Sequence, residues 1–187
     1  VFPAQVEDVK CAVRFLRANA DKLGIDPKRF GAIGFSAGAH LAMMLAVVDE
    51  DSDMEGTGGH AEQPSKVQAA VSFVGPTALD ADDLPDVSKP LVRDFIGGTP
   101  QEKPELFKKA SPITHLSPDD GPILMIQGTK DELVPPTQAY RMADAMGNVG
   151  VKGRVEILPG LGHGLNPQEA IRGLLVAEQF FKEVLKP

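Results

Sequence analysis

The chain has 187 residues, a formal net charge of −7, a sequence pI near 5.1 and a single cysteine. This length suits one domain, and one cysteine excludes an internal disulfide. An acidic balance without a Lys/Arg cluster argues against a nucleic-acid-binding surface, and every apolar run is shorter than a membrane span.

The first half of the chain alternates between helical and strand patterns. Apolar residues recur at steps of three and four over 6–23, which predicts an amphipathic helix. A short buried strand then ends at Gly34, and an apolar helix follows to about Val48. The acidic, glycine-rich stretch 49–60 lacks the Gly and Glu positions of an EF-hand, so we interpret it as a solvated loop.

The second half repeats the alternation around one irregular stretch. The apolar segment 67–76 predicts a second strand, and 122–128 and 154–159 predict a third and a fourth, with a helix to about Met146 between these two. The proline-rich stretch 77–120 predicts an insertion beyond the strand ends, where a lid or specificity loop belongs.

A last helix is predicted after the fourth strand, with Asn166 as its N-cap and Pro167 at its first position. Its predicted apolar face consists of Ile171, Leu174, Leu175, Phe181, Val184 and Leu185. Alternating strands and helices predict an α/β fold, in which about four parallel strands are joined by right-handed crossovers and covered by helices on both faces. We predict one domain over 1–187.

A serine stands between two glycines where the first strand gives way to a helix, in Gly34-Phe35-Ser36-Ala37-Gly38. At such a turn the central residue takes a strained, positive-φ backbone that holds its side chain out at the sheet's edge. We therefore predict Ser36 as a nucleophile and the N–H of Ala37 as an oxyanion donor. Taken alone, the motif is also compatible with a glycine-rich turn that merely contains serine.

Two other strand ends carry the partners that a nucleophilic serine needs. Asp131 follows the third strand and His163 follows the fourth, and in an open parallel sheet these ends meet at one edge. His163 would accept the proton of Ser36, and Asp131 would hold the imidazole in the required tautomer. Glu132 is the nearest substitute for Asp131.

The other histidines are expected to lie outside the catalytic group. His40 lies one helical turn beyond Ser36 and is expected to be a packing or supporting residue. His115 is expected to fix the insertion, and His60 to face solvent. The Cys and His residues do not have zinc spacing, so we predict no zinc site.

In combination these motifs resemble the esterase/lipase branch of the α/β hydrolases, most of all its acetylxylan- and feruloyl-esterase-like group and more distantly the hormone-sensitive-lipase-like esterases. The similarity runs from residue 3 to the C-terminus. It is carried by Ile25-Asp26-Pro27, Gly34-Phe35-Ser36-Ala37-Gly38-Ala39-His40-Leu41-Ala42, Ala110-Ser111-Pro112-Ile113-Thr114-His115, Gln127-Gly128-Thr129-Lys130-Asp131-Glu132-Leu133-Val134-Pro135 and Gly162-His163-Gly164.

The resemblance implies a carboxylic-ester hydrolase that needs no cofactor or metal. It implies Ser36, Asp131 and His163 as the catalytic triad and the Ala37 N–H as one oxyanion donor. The implied substrates are short-chain acyl esters, including acetyl or feruloyl esters of polysaccharide.

One departure from the family pattern concerns the N-terminal side. The family places several strands and a His-Gly-Gly oxyanion loop before the first helix seen here, whereas this chain begins at Val1-Phe2-Pro3. We therefore expect an incomplete α/β-hydrolase fold in which the strand ending at Gly34 is an open edge. We expect either that upstream sequence was lost by truncation or cleavage, or that a second copy or another completing chain covers this edge. Any export signal would lie upstream.

Without a second oxyanion donor we expect weak turnover, because losing one donor typically costs about 10²- to 10³-fold. Two other functions stay open at this point. One is a serine peptidase of prolyl-oligopeptidase type, which shares the serine turn and the order of the triad. The other is a non-catalytic fragment that acts as an interaction module.

Overall fold

The computed structural model of the chain describes residues 1–186. Its strands are β1 (Gly31–Phe35), β2 (Ala69–Phe73), β3 (Ile123–Gly128) and β4 (Gly153–Leu158). Its helices are α1 (Ala4–Ala18), α2 (Ala20–Leu23), α3 (Ala37–Val47), α4 (Lys89–Ile96), α5 (Pro104–Lys109), α6 (Pro136–Val149) and α7 (Pro167–Val184), and a 3-10 helix spans Pro112–His115. In this described part, no helix is both long and apolar enough to cross a membrane.

The four strands form one parallel sheet in the order β1-β2-β3-β4. The pairing runs from Gly31 opposite Ala69 to Phe35 opposite Phe73, so β1 and β2 end at the same level. This arrangement confirms the predicted α/β class with four parallel strands. It also places the loops that follow β1, β3 and β4 at the same end of the sheet, where the carboxyl ends of the strands lie.

Helices cover both faces of the sheet, as predicted. On one face, α3 and α6 pack on the strands, with α1 against α3, and this side holds the larger apolar cluster. On the other face, α7 packs on β2 and β3 around a smaller cluster. Adjacent residues of β2 divide between the two clusters, since Ala70 belongs to the first and Val71 to the second.

The first helical segment is interrupted, whereas the sequence predicts one helix over 6–23. The helix α1 ends at Ala18, and the short α2 follows after Asn19. The Asn19 side-chain Nδ2 donates to the carbonyl of Phe15 at 2.9 Å. The Asn19 N–H also donates to this carbonyl at 3.1 Å, so the interruption is confined to the backbone of Asn19, with φ −108° and ψ 14°.

The buried side of α7 differs from the predicted face. Ile171, Leu174 and Leu175 are 55–61 % exposed, and the buried residues are Gly173, Ala177 and Phe180. A Cβ at Gly173 would lie 2.4 Å from Cε1 of Phe73. The helix therefore approaches the sheet through small side chains, which turns the larger aliphatic ones outward. Phe181, Val184 and Leu185 do pack against the smaller cluster.

The stretch 49–60 is largely exposed, as its composition predicts, and is anchored to the protein around Met54 and Glu55. Met54 is buried, and Glu55 accepts from Lys10 and, at 2.6 Å, from Nη1 of Arg14. Lys10 and Arg14 are themselves buried, so this carboxylate stabilises two charges that would otherwise be unpaired. Among residues 1–186, no group of three or more His, Cys, Asp and Glu side chains is arranged to hold a metal ion.

The strand β1 is an open edge, as the sequence predicts. Within the described chain it pairs with β2 alone. Ile33 and Phe35 on this strand are 46 % and 43 % exposed, and apolar grooves flank the strand on both faces of the sheet. The edge therefore presents unpaired backbone groups between two apolar surfaces.

Candidate active site

Ser36 occupies the turn between β1 and α3, with φ 53° and ψ −117°. A positive φ is uncommon for a residue with a Cβ, and here the tight connection imposes it. Gly34 makes the connection possible, since a Cβ there would lie 2.1 Å from the carbonyl oxygen of Gly38. The Ser36 N–H donates to the Phe73 carbonyl at 2.8 Å, which ties the turn to the end of β2.

Asp131 lies in the loop after β3, and its side chain is fully buried. Its Oδ1 accepts from the backbone N–H groups of Leu133 at 2.9 Å and Val134 at 2.8 Å. These bonds hold the carboxylate in one orientation and compensate for part of the cost of burying its charge.

His163 lies in the loop after β4 and connects the other two residues. Its Nδ1 is 2.9 Å from Oδ2 of Asp131, and its Nε2 is 2.9 Å from Oγ of Ser36. Since a carboxylate only accepts, the Nδ1–H donates to Asp131 and the bare Nε2 accepts from the serine hydroxyl. The structure thus brings together the three residues that the sequence indicated.

The loops that carry Asp131 and His163 are joined directly. The N–H of Lys130 donates to the Leu161 carbonyl at 2.8 Å, and the N–H of Gly160 donates to Oγ1 of Thr129 at 2.8 Å. Close packing of Gly128 against Leu161 adds to this, since a Cβ at Gly128 would meet the Leu161 carbonyl oxygen at 2.4 Å. The carboxylate and the imidazole are therefore held as one unit. The contribution of Thr129 is not indicated by any pattern in the sequence.

Ala37 is the first residue of α3 and lines the same cavity as Ser36 and His163. The first N–H groups of an α-helix have no acceptor inside the helix. The Ala37 N–H is therefore free of the helical ladder, at the positive end of the helix dipole.

A cavity of about 370 Å³ adjoins Ser36 and His163. Most of its wall is apolar, and the irregular stretch 77–120 forms one side of it, with half of that side from α4. The apolar lining residues are Leu79, Leu84, Leu91, Val92 and Phe95 from that stretch, Leu133 and Val134 from the loop of Asp131, and Ala37, Leu41 and Pro76. In the sequence, only the position of this stretch beyond the strand ends indicates that it lines a binding cavity, because its composition does not indicate a ligand.

The remaining histidines lie where the sequence placed them. His40 is buried in the cavity wall, and its Nε2 donates to the Ala110 carbonyl at 2.7 Å. His115 donates in the same way to the Lys109 carbonyl at 2.7 Å, inside the insertion. His60 is exposed. His40 and His115 therefore support the insertion, as predicted.

Burial of His40 gives the protein a specific acid sensitivity. Burial lowers the pKa of this imidazole to about 4, although the bond to Ala110 opposes the shift. As the pH falls through about 6.5, His40 becomes protonated in the unfolded chain, whereas in the folded protein it stays neutral until about pH 4. The contribution of neutral His40 to the free energy of unfolding is therefore fully present above pH 6.5 and is lost as the pH falls toward 4.

We expect the His40 contribution to lower the free energy of unfolding in urea by about 2 to 3 kcal/mol at pH 4.5 relative to pH 7.5. In His40→Gln, whose amide still donates to Ala110, most of this difference should disappear. The exposed His60→Gln serves as the control and should keep it. A full pH difference in His40→Gln would assign the acid sensitivity to other groups.

Comparison with known proteins gives a family and several relatives. A family model described as BD-FAE matches residues 1–146. The esterase LipQ of Mycobacterium tuberculosis (strain ATCC 25618 / H37Rv) is 31% identical over 180 residues, which cover 95% of this chain and 42% of that protein. The chain spans less than half the length of the curated relatives it matches.

Solved structures are similar over nearly the whole chain. One described as "Truncated form of carbohydrate esterase from gut microbiota" is 32% identical with a TM-score of 0.88, covering 100% of this chain and 70% of that one. The native form of the esterase Est2 of Thermogutta terrifontis is 28% identical with a TM-score of 0.79, covering 97% and 65%.

Proposed function

Because this chain belongs to the BD-FAE family and has an incomplete α/β-hydrolase fold, we propose that it hydrolyses carboxylic esters through the hydroxyl of Ser36. The observation that carries the proposal is the continuous hydrogen-bonded path from Ser36 Oγ through His163 to Asp131, with 2.9 Å at each step. Esterases among the similar proteins support the same reaction class.

The first half of the proposed reaction acylates the serine. His163 Nε2 takes the hydroxyl proton as Ser36 Oγ bonds to the ester carbonyl carbon, and the carbonyl electron pair moves onto oxygen. Buried Asp131 stabilises the imidazolium that forms. The Ala37 N–H stabilises the oxyanion. When the C–O bond to the alcohol breaks, His163 gives its proton to the leaving oxygen.

The second half repeats the steps with water. His163 takes a proton from a water molecule that attacks the acyl carbon, and it returns the proton to Ser36 Oγ as the acid leaves. We propose a single oxyanion donor, the Ala37 N–H, so we expect turnover to be slow when these 187 residues act alone.

We propose short-chain acyl esters as substrates, including acetyl or feruloyl esters of polysaccharide. The carbohydrate esterase among the similar structures supports a carbohydrate alcohol. The apolar cavity beside Ser36 supports an acyl group without charge. We assign the stretch 77–120 a lid-like role, because its helix α4 forms one wall of this cavity.

The function is tested by comparing p-nitrophenyl acetate with a Pro-linked anilide, using the wild-type protein and its Ser36→Ala variant. We expect Ser36-dependent turnover of the ester and little of the anilide. Preferred cleavage of the anilide would favour a peptidase. A chain that neither turns over ester nor takes up a fluorophosphonate label at Ser36 would be a non-catalytic interaction module.

We further propose that the open edge of β1 pairs with another strand, which in a purified sample comes from a second copy. Light scattering should then show a mass that rises with concentration. Ile33→Lys should keep the protein monomeric, since a charge on an edge strand opposes pairing. Ile171→Lys, on the exposed side of α7, is the control and should still associate. A wild-type monomer at all concentrations would contradict this proposal.

A further inference from the structure

Gln127, on β3, directs its side-chain amide at the loop that carries Asp131. The residue is 1 % exposed. Its Nε2 lies 3.2 Å from Oδ2 of Asp131, 2.9 Å from the Val134 carbonyl oxygen and 3.4 Å from the Gly128 carbonyl oxygen. The amide nitrogen of Gln127 therefore faces three acceptors in the loop 128–134.

The orientation of this amide is determined by those acceptors. Rotating it by half a turn would place Oε1 against three oxygen atoms, which repel it. In the observed orientation Oε1 is buried and has no hydrogen-bond partner among the described residues. An unpaired buried acceptor is unfavourable, so the donor side of the amide is what holds Gln127 in place.

The bonds to Asp131 divide between its two oxygens. The backbone donors of Leu133 and Val134 lie on Oδ1, whereas Gln127 donates to Oδ2. His163 Nδ1 lies 2.9 Å from Oδ2 and 3.1 Å from Oδ1, so Oδ2 is the nearer of two acceptors. Backbone bonds on Oδ1 alone would let the carboxylate rotate about its bond to Cβ. The donor on Oδ2 opposes this rotation, and the bond to the Val134 carbonyl closes the turn.

We propose that Gln127 is a positioning residue that aims Oδ2 of Asp131 at His163. The inference rests on the proposed ester hydrolysis for its kinetic consequences, but the geometry that it claims can be measured separately. Gln127 touches neither Ser36 nor the cavity, so its removal should change the rate of the chemical step and leave substrate binding unchanged.

The kinetic test replaces Gln127 with methionine, which keeps the length of the side chain and removes the donor. We expect kcat for p-nitrophenyl acetate to fall about tenfold, with KM within about twofold of the wild-type value. Gln138→Met is the matched control, since Gln138 is equally buried but bonds to Thr77 and Ala78. It should lower the melting temperature and keep kcat within about threefold.

A double-mutant cycle separates positioning from general destabilisation. In an Asp131→Ala background Gln127 has no carboxylate to orient, so adding Gln127→Met should slow fluorophosphonate labelling of Ser36 by less than about twofold. Additive losses would overturn the proposal. If Gln127→Met fails to fold, Gln127→Leu is the second variant, since it also lacks the donor, and an unchanged kcat in that variant would equally overturn the proposal.

Proton NMR tests the geometry without any turnover. The Nδ1–H of His163 that bridges to Asp131 should give a downfield resonance in the wild-type protein, assigned by its loss in Asp131→Ala. We expect Gln127→Met to shift or broaden this resonance and Gln138→Met to leave it unchanged. An unchanged resonance in Gln127→Met refutes the positioning role. Absent ester hydrolysis in a wild-type protein with this resonance would refute the proposed function alone.

Discussion

Replacing Ser36 with alanine should lower kcat for p-nitrophenyl acetate by at least about 10⁴-fold, the largest change that we expect from any substitution. The variant keeps Asp131, His163 and the Ala37 N–H but has no oxygen to form the acyl intermediate. Steady-state assays monitoring p-nitrophenolate release measure the effect, and fluorophosphonate labelling should disappear in parallel.

Ser72 provides a matched control for this experiment. It lies on β2, opposite Gly34, and its buried hydroxyl has no hydrogen-bond partner within residues 1–186. Ser72→Ala therefore removes a nearby serine oxygen without touching the path to His163, and kcat should stay within about twofold. Equal hydrolysis rates in the wild-type protein and in Ser36→Ala would refute the catalytic assignment.

Replacing Gly34 with alanine should lower the free energy of unfolding by about 3 kcal/mol or more, measured by urea titration. The new Cβ would lie 2.1 Å from the Gly38 carbonyl oxygen and 2.6 Å from the Ala39 nitrogen. Both are backbone atoms at the start of α3, so relief requires β1 and α3 to separate. That separation would also displace Ser36 from His163.

The second glycine of the same motif serves as the control. A Cβ at Gly38 would meet no atom within 4 Å, and the residue lies in the first turn of α3. Alanine is the better helix former, so Gly38→Ala should be neutral or stabilising by up to about 1 kcal/mol. If both variants were equally stable, strand–helix contact at Gly34 would not be what the motif requires.

The sequence was informative about the site wherever a residue follows directly from a strand end. Ser36, Asp131 and His163 each stand just after a recognisable apolar run, and parallel strands bring such ends together. The local chemistry of Gly34 and Ser36 then predicts the strained turn. No long-range packing information was needed for these residues.

Residues whose roles depend on packing between distant segments were not predictable. Gln127 is one polar residue inside an apolar strand. Its three acceptors lie in the loop that carries Asp131, and they come close to Gln127 only in the folded protein. The same holds for Glu55, which pairs with charges on α1. The face of α7 was misjudged because helical periodicity identifies apolar stripes but does not show where the sheet requires the small residues around Gly173.

The open edge of β1 has a consequence for how the site comes apart. Both β1 and β4 are edge strands, but the loop of His163 after β4 is hydrogen-bonded to the loop of Asp131 after β3. Ser36 follows β1, and within the described chain its turn is joined to the sheet through the single bond of its N–H to the Phe73 carbonyl. Edge strands fray at lower free energy than interior strands. Fraying of β1 would displace Ser36 while Asp131 and His163 remain hydrogen-bonded to each other. Amide hydrogen exchange should therefore be fastest around Ser36, and activity should be lost on heating below the temperature of global unfolding.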